Sequence, residues 1–116
     1  MSSSNFDQGE IVVAPIPFSG FSDAKTRPAL VLTPAAYNRK SEDVIVLKVT
    51  SHVKDYPFDV NLRAIDLTSG ALKQESVVQV DFPVVIDKAS ITQIIGRITP
   101  KKLQEVKRKI KELYGL

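Results

Sequence analysis

The periodicity of the chain changes once, at Thr99-Pro100, and that change limits the folds open to it. Before it, apolar residues come in short β-branched runs separated by turn-forming residues. After it, Leu103, Val106, Ile110 and Leu113 recur at three- and four-residue steps. The first pattern belongs to strands and the second to one amphipathic helix. Thr99 suits the N-cap, Pro100 the first helical position and Gly115 the stop. A helix that is apolar on one face must cover something apolar, and the strands are what is available.

The strands are expected at Glu10–Ala14, ending at Pro15, and at Ala29–Thr33, opened by Arg27-Pro28 because proline drives its predecessor toward extended geometry. Further strands follow at Val44–Thr50, Phe58–Leu62, Ser76–Val80, Val84–Ile86 and Ser90–Ile95, with Gly96-Arg-Ile98 trailing the last. Phe18 to Thr26 and Pro34 to Asp43 read as loops, and Ser69-Gly70 as a turn. Short strands joined by turns predict a mainly β fold, a small curled or barrel-like antiparallel sheet with the C-terminal helix lying across it.

At 116 residues the chain fits one domain with one modest core, over residues 9–116. Residues 1–8 are polar, lack the basic and apolar regions of a signal peptide, and read as a frayed tail. No apolar run reaches the length of a membrane span. With no cysteine and one histidine, the chain offers no disulfide, no thiolate metal site and no histidine-based one, which fits a cytoplasmic protein. The net charge of +3 is uneven: Lys101, Lys102, Lys107, Arg108, Lys109 and Lys111 face only Glu105 and Glu112 after Thr99, leaving +4 there and −1 elsewhere. Such a helix attracts polyanions, although a solvated helix face is the commoner meaning of a charge run.

Three separated segments, taken in order, resemble the MazF/PemK toxin family. The first is Gly9-Glu-Ile-Val-Val13, a Ser/Gly loop, and Lys25-Thr-Arg-Pro-Ala-Leu-Val-Leu32. The second is Val49-Thr-Ser51, similar to the family's Ile-Thr-Ser. The third is Ser76-Val-Val-Gln-Val-Asp81, then Ile86-Asp-Lys88, Ile95-Gly-Arg97 and the closing helix. The resemblance covers roughly Gly9 to Leu113, and it is the ordered set that is specific. It implies an SH3-like barrel acting as a homodimer, and metal-free cleavage of single-stranded RNA without a cofactor. It also implies an antitoxin partner whose flexible acidic tail occupies the RNA groove, and catalytic roles for Arg27 and Thr50. The chain departs from the family's usual Asp-Gln-Ile/Val-Arg-Thr, reading Asp81-Phe-Pro-Val-Val85 instead.

The chemistry suits those residues. RNA carries its own nucleophile, the 2′-hydroxyl, whose attack on the adjacent phosphate gives a 2′,3′-cyclic phosphate and a free 5′-hydroxyl. A guanidinium can grip the phosphate with two parallel hydrogen bonds, and a threonine hydroxyl can donate to it. Arginine is a poor base. His52 is of the residue type that titrates near neutrality, and if the strand ran past Thr50 the two would share a face. A solvated histidine at a strand end is the plainer reading.

Each remaining candidate also has a structural alternative. Arg27 could pair with Asp23, the only acid in its loop; Thr50 and Ser51 could cap a turn. Phe21, Ser22, Asp23 and Lys25 lie in or beside the loop before Arg-Pro and are expected to contact RNA, with Phe21 stacking on an unpaired base. Phe18 is expected to be a core or interface anchor. Asn38, in the next loop beside Tyr37, Arg39 and Lys40, is a candidate for lining the RNA path; the alternative is an ordinary polar turn. Two rival functions share the fold: a non-catalytic toxin such as a topoisomerase inhibitor, and an RNA- or protein-binding module.

Overall fold

The structure, a computed structural model, describes residues 5–17, 24–52 and 56–116. Its strands are β1 (Glu10–Pro17), β2 (Ala24–Val31), β3 (Asp43–Thr50), β4 (Asp59–Leu62), β5 (Leu67–Gly70), β6 (Ser76–Asp87) and β7 (Gln93–Ile98). Two α-helices, α1 (Ala35–Lys40) and α2 (Pro100–Tyr114), and two 3-10 turns, Ala64–Asp66 and Lys88–Ser90, complete the described residues. The strands form one antiparallel sheet in the order β4-β6-β3-β2-β1-β7-β5. The sheet is curled and mainly β, with the helix across it, as the period change predicts.

Alternation along the strands sorts the apolar residues into two cores on opposite sides of the same sheet. The helix-side core holds Ile11, Leu30, Leu47, Val49, Val60, Leu62, Val78, Val80 and Ile98 against Val106 of α2, with Leu103, Ile110 and Leu113 packed at its border. The far-side core holds Val12, Ala14, Ile16, Ala29, Val31, Val44, Val46 and Ile86, closed by Phe6. Thr99 accepts the Lys102 amide at 3.1 Å as N-cap, and Gly115 adopts the left-handed conformation at φ 71° as C-cap.

Several expectations need correcting. The tail predicted through Gln8 is not frayed over its described part: Phe6 is 7% exposed, and Asp7 pairs with Arg97 at 2.9 Å. β1 runs on to Pro17 because β7 accompanies it only as far as Val13, so Pro15 and Pro17 face no ladder on that side. β2 begins at Ala24, placing Arg27 inside a strand opposite Ala14 rather than before one. Residues after Pro34 form the short helix α1 in place of a loop. Ser69-Gly70 closes β5, which pairs with β7 and was not expected as a strand. The two runs Ser76–Val80 and Val84–Ile86 are one strand, β6, with an irregularity where the register against β3 jumps from Lys48↔Gln79 to Leu47↔Pro83.

Candidate active site

The β2–β3 ladder runs Val31↔Val46, Leu30↔Leu47, Ala29↔Lys48, and there it stops. Carried two residues further, the same register sets Arg27 level with Thr50. Both then lie on the face of Ala29, Val31 and Val46, because strand side chains alternate. Arg27 keeps β1 as a neighbour through Ala14, while Thr50 pairs with Val77 of β6. The two strands therefore separate where these two side chains stand. At the gap a hollow of about 430 Å³ opens, lined by Thr26, Arg27 and Pro28 from β2, by Val49 and Ser51, and by the segment from Ala71 to Gln74. Thr50 does not line it; Ser51, which is exposed, does.

Thr50 has a defined polarity. Its Oγ1 accepts the backbone amide of His52 at 3.1 Å, so the hydroxyl proton is left to donate elsewhere. This bond also turns the chain out of β3. His52 is past the end of the strand and exposed, so the alternation argument for a shared face with Thr50 does not hold. Lys25 is exposed on β2, two residues before Arg27. Phe18, Phe21, Ser22 and Asp23 lie outside the described residues.

Asn38 does not line an RNA path. It is fully buried: Nδ2 donates to the carbonyls of Phe6 and Thr33, and Oδ1 accepts the Thr33 hydroxyl. Its own carbonyl accepts the Lys88 ammonium. It is a buried tie between the N-terminal segment, Thr33 just past β2 and Lys88 just past β6. Tyr37, Arg39 and Lys40 are exposed on the same short helix.

The structure adds residues that the sequence reading passed over. Lys48 precedes Thr50 by two positions in β3 and shares its face. Across β3, β6 and β4 it begins a row, Lys48–Gln79–Asp59. The irregularity in β6 changes which residues face this side, so Phe82 joins the row's face and the Lys48 ammonium lies 4.6 Å from its ring centre. Burial, and then the Arg27 guanidinium, hold the Lys48 ammonium below the usual lysine range. Burial, and then the charge of Asp81, push the Asp59 carboxyl above its ordinary range, against a backbone hydrogen bond at Tyr56. Gln79 Oε1 and Asp59 Oδ2 are buried with no hydrogen-bond partner among the described residues. The signal was available: a lone lysine inside an apolar strand, at even spacing from Thr50. Among the described residues no group of three or more His, Asp or Glu is placed to hold a metal ion.

Strand order, helix and site can now be set beside known proteins. Residues 7–114 match the family model for PemK-like, MazF-like toxins of type II toxin–antitoxin systems. The endoribonuclease toxin MazF of Escherichia coli strain K12 is 30% identical over 110 residues, covering 94% of each chain. The endoribonuclease PemK of Escherichia coli is 32% identical over 108 residues, covering 89% of this chain and 77% of that one. Among solved structures, MazF from Deinococcus radiodurans superposes with a TM-score of 0.78 at 31% identity, covering 97% of this chain and 99% of that one. A MazE–MazF structure from the same organism gives 0.74 at 34% identity, covering 97% and 98%. With the family model spanning nearly the whole chain and relatives at this identity over nearly its full length, the chain belongs to the PemK-like, MazF-like toxins of type II toxin–antitoxin systems.

Proposed function

We propose that this protein is an endoribonuclease toxin that cuts single-stranded RNA, with Arg27 and Thr50 meeting at the scissile phosphate. The observation that supports this most directly is the register of β2 on β3: continued two residues past its last pair, Ala29↔Lys48, it would set Arg27 level with Thr50. The 2′-hydroxyl gives up its proton and attacks the adjacent phosphorus; the bond to the 5′-oxygen breaks and that oxygen takes up a proton from water, giving a 2′,3′-cyclic phosphate and a 5′-hydroxyl. Arg27 grips the non-bridging oxygens as charge builds on them, and Thr50 donates its free hydroxyl proton to the same group. Ser51 and Lys25 flank the path of the strand. Phe21, Ser22 and Asp23 are assigned to the loop that meets the neighbouring nucleotide. His52, two residues past Thr50 and tied to its hydroxyl through the backbone amide, is the candidate for the proton acceptor.

The relatives named above are endoribonucleases, and one solved relative is a MazE–MazF assembly. For this chain the corresponding partners are messenger RNA and a cognate antitoxin whose acidic tail enters the same groove. We assign it to the cytoplasm as a homodimer; among the described residues no helix is long and apolar enough to cross a membrane.

The test is cleavage of a long single-stranded RNA in chelator, followed by identification of the product ends. A deoxyribose at the scissile nucleotide should abolish cutting. Arg27→Ala should lower kcat by about 100- to 1000-fold, the usual effect of removing one preorganised donor to a developing oxyanion, with its unfolding transition retained. Cutting that survives the deoxyribose would sink the mechanism, and undiminished Arg27→Ala would sink the site. Loss of neutral-pH activity in His52→Gln is expected; full activity there removes His52 from the mechanism.

A further inference from the structure

We propose that Lys48, seated on the ring of Phe82, is an RNA-binding residue that holds the phosphate next to the scissile one. This rests on the nuclease reading and extends it along the same face. Lys48 and Thr50 are two residues apart on one strand, so their Cα atoms are separated by about 6.5–7 Å on a common face. The Lys48 ammonium does not lean back toward Thr50. It sits 4.6 Å from the Phe82 ring centre, and Phe82 belongs to the stretch of β6 where the register breaks, on the side of Lys48 away from Thr50. The ammonium is thereby turned along β3 away from Thr50.

The electrostatics agree with that placement. Two cations, Arg27 and Lys48, come close enough on a partly buried face for the guanidinium to disfavour the ammonium. A polyanion lying along this face would meet both cations. A single strand of RNA supplies one phosphate per nucleotide. With one phosphate at Arg27 and Thr50, the next along the strand falls to Lys48. A compact ammonium held by an aromatic face is suited to a single phosphate contact rather than a bidentate grip.

The experiment uses the full chain, an RNA oligonucleotide carrying one mapped cleavage site, and an uncleavable copy with deoxyribose at the scissile nucleotide. Lys48→Ala and Lys48→Gln should raise KM, and weaken binding of the uncleavable copy, about tenfold, with kcat within about twofold of wild type. The slope of log affinity against log salt should fall by about 0.7, the share of one single-strand phosphate contact. Lys48→Arg should restore most of the affinity. A neutral methylphosphonate at a phosphate beside the scissile one should weaken wild-type binding at one of the two flanking positions. At that position it should leave Lys48→Ala unaffected.

A fall in kcat with KM unchanged would put Lys48 at the scissile phosphate and overturn the proposal. So would a variant as sensitive as wild type to both methylphosphonates. If wild type cuts RNA and Lys48→Ala binds as tightly as wild type, this inference fails alone. If wild type binds but never cuts while Lys48→Ala still loses affinity, the nuclease reading fails and the contact stands. No binding by wild type sinks both.

Discussion

The amide of His52 donates to Thr50 Oγ1, and Asn38 spends every polar atom of its side chain inside the protein, so the two residues serve different ends. Removing the Asn38 side chain as Asn38→Ala strips partners from two backbone carbonyls and a hydroxyl. The expected loss is about 2–3 kcal/mol in urea unfolding, with RNA cleavage by the folded fraction unaltered. A specific activity that falls with stability unchanged would return Asn38 to the RNA path. Asp59 makes a second case. Burial and Asp81 raise its folded-state pKa above its unfolded value, near 3.8, so between the two values the folded chain holds a proton that the unfolded chain has lost. Its contribution is full below the unfolded value and is lost as pH rises through the elevated one. Asp59→Asn removes that loss and offers an amide to Gln79 Oε1, directly opposite in β6. The variant should be more stable than wild type at pH 7, with the gain shrinking toward pH 3; an equal gain at both would remove ionisation as the cause. Arg27 and Thr50 were proposed from the motifs around them in sequence, Arg-Pro and Thr-Ser. Lys48 gave a signal as a lone lysine in an apolar strand, but its row with Gln79 and Asp59 gave none, because cross-strand register pairs residues far apart in the chain.

Elements were legible where the local pattern was long or capped. α2 carried its own punctuation in Thr99, Pro100 and Gly115, and it stands where that punctuation puts it. β5 gave no such signal: Leu67-Thr-Ser-Gly70 is short and mostly exposed, and only its pairing with β7 makes it a strand. That pairing depends on two glycines meeting, Gly70 opposite Gly96. Gly70 has φ 83°, and a Cβ there would run into the Ile95 carbonyl and the Gly96 Cα. Gly70→Ala therefore combines left-handed strain with overpacking against backbone, and should cost about 2–4 kcal/mol in urea unfolding. A loss below about 0.5 kcal/mol would mean that β5 does not approach β7 this closely. The sequence reading gave β6 as two strands, Ser76–Val80 and Val84–Ile86, with Pro83 between them. The break in register at Leu47/Lys48 accommodates it, and the same irregularity turns Phe82 toward Lys48. Irregular pairing is invisible to a period count, yet here it shapes the face that carries the candidate site.

At the scale of the molecule, one sheet separates two cores, and the strands that hold them are shared. Neighbouring residues of a single strand divide between them: Ile11 and Val12 in β1, Leu30 and Val31 in β2, Val46 and Leu47 in β3. Neither core can open without dragging the backbone of the other. The far-side core also depends on the N-terminal segment that composition marked as a polar tail. Phe6 closes that core, its carbonyl accepts from the buried Asn38 amide, and the following Asp7 pairs with Arg97 of β7. A lone phenylalanine among polar residues gives no periodicity to read, which is why its role emerges only from the assembled fold. Phe6→Ala should cost about 3–5 kcal/mol, as for other buried aromatics. Because the strands are common to both cores, the variant should still unfold in one transition, reported alike by far-ultraviolet circular dichroism and by the methyl NMR signals of Val12, Val31 and Val46 in the far-side core, with the midpoint moved to lower urea. If the far-side core were instead a separately melting annex, the two probes would part, with the helix signal surviving at urea concentrations where the dispersion of those methyl signals is already lost. Coincident but lowered midpoints are the outcome that a single alternating sheet requires.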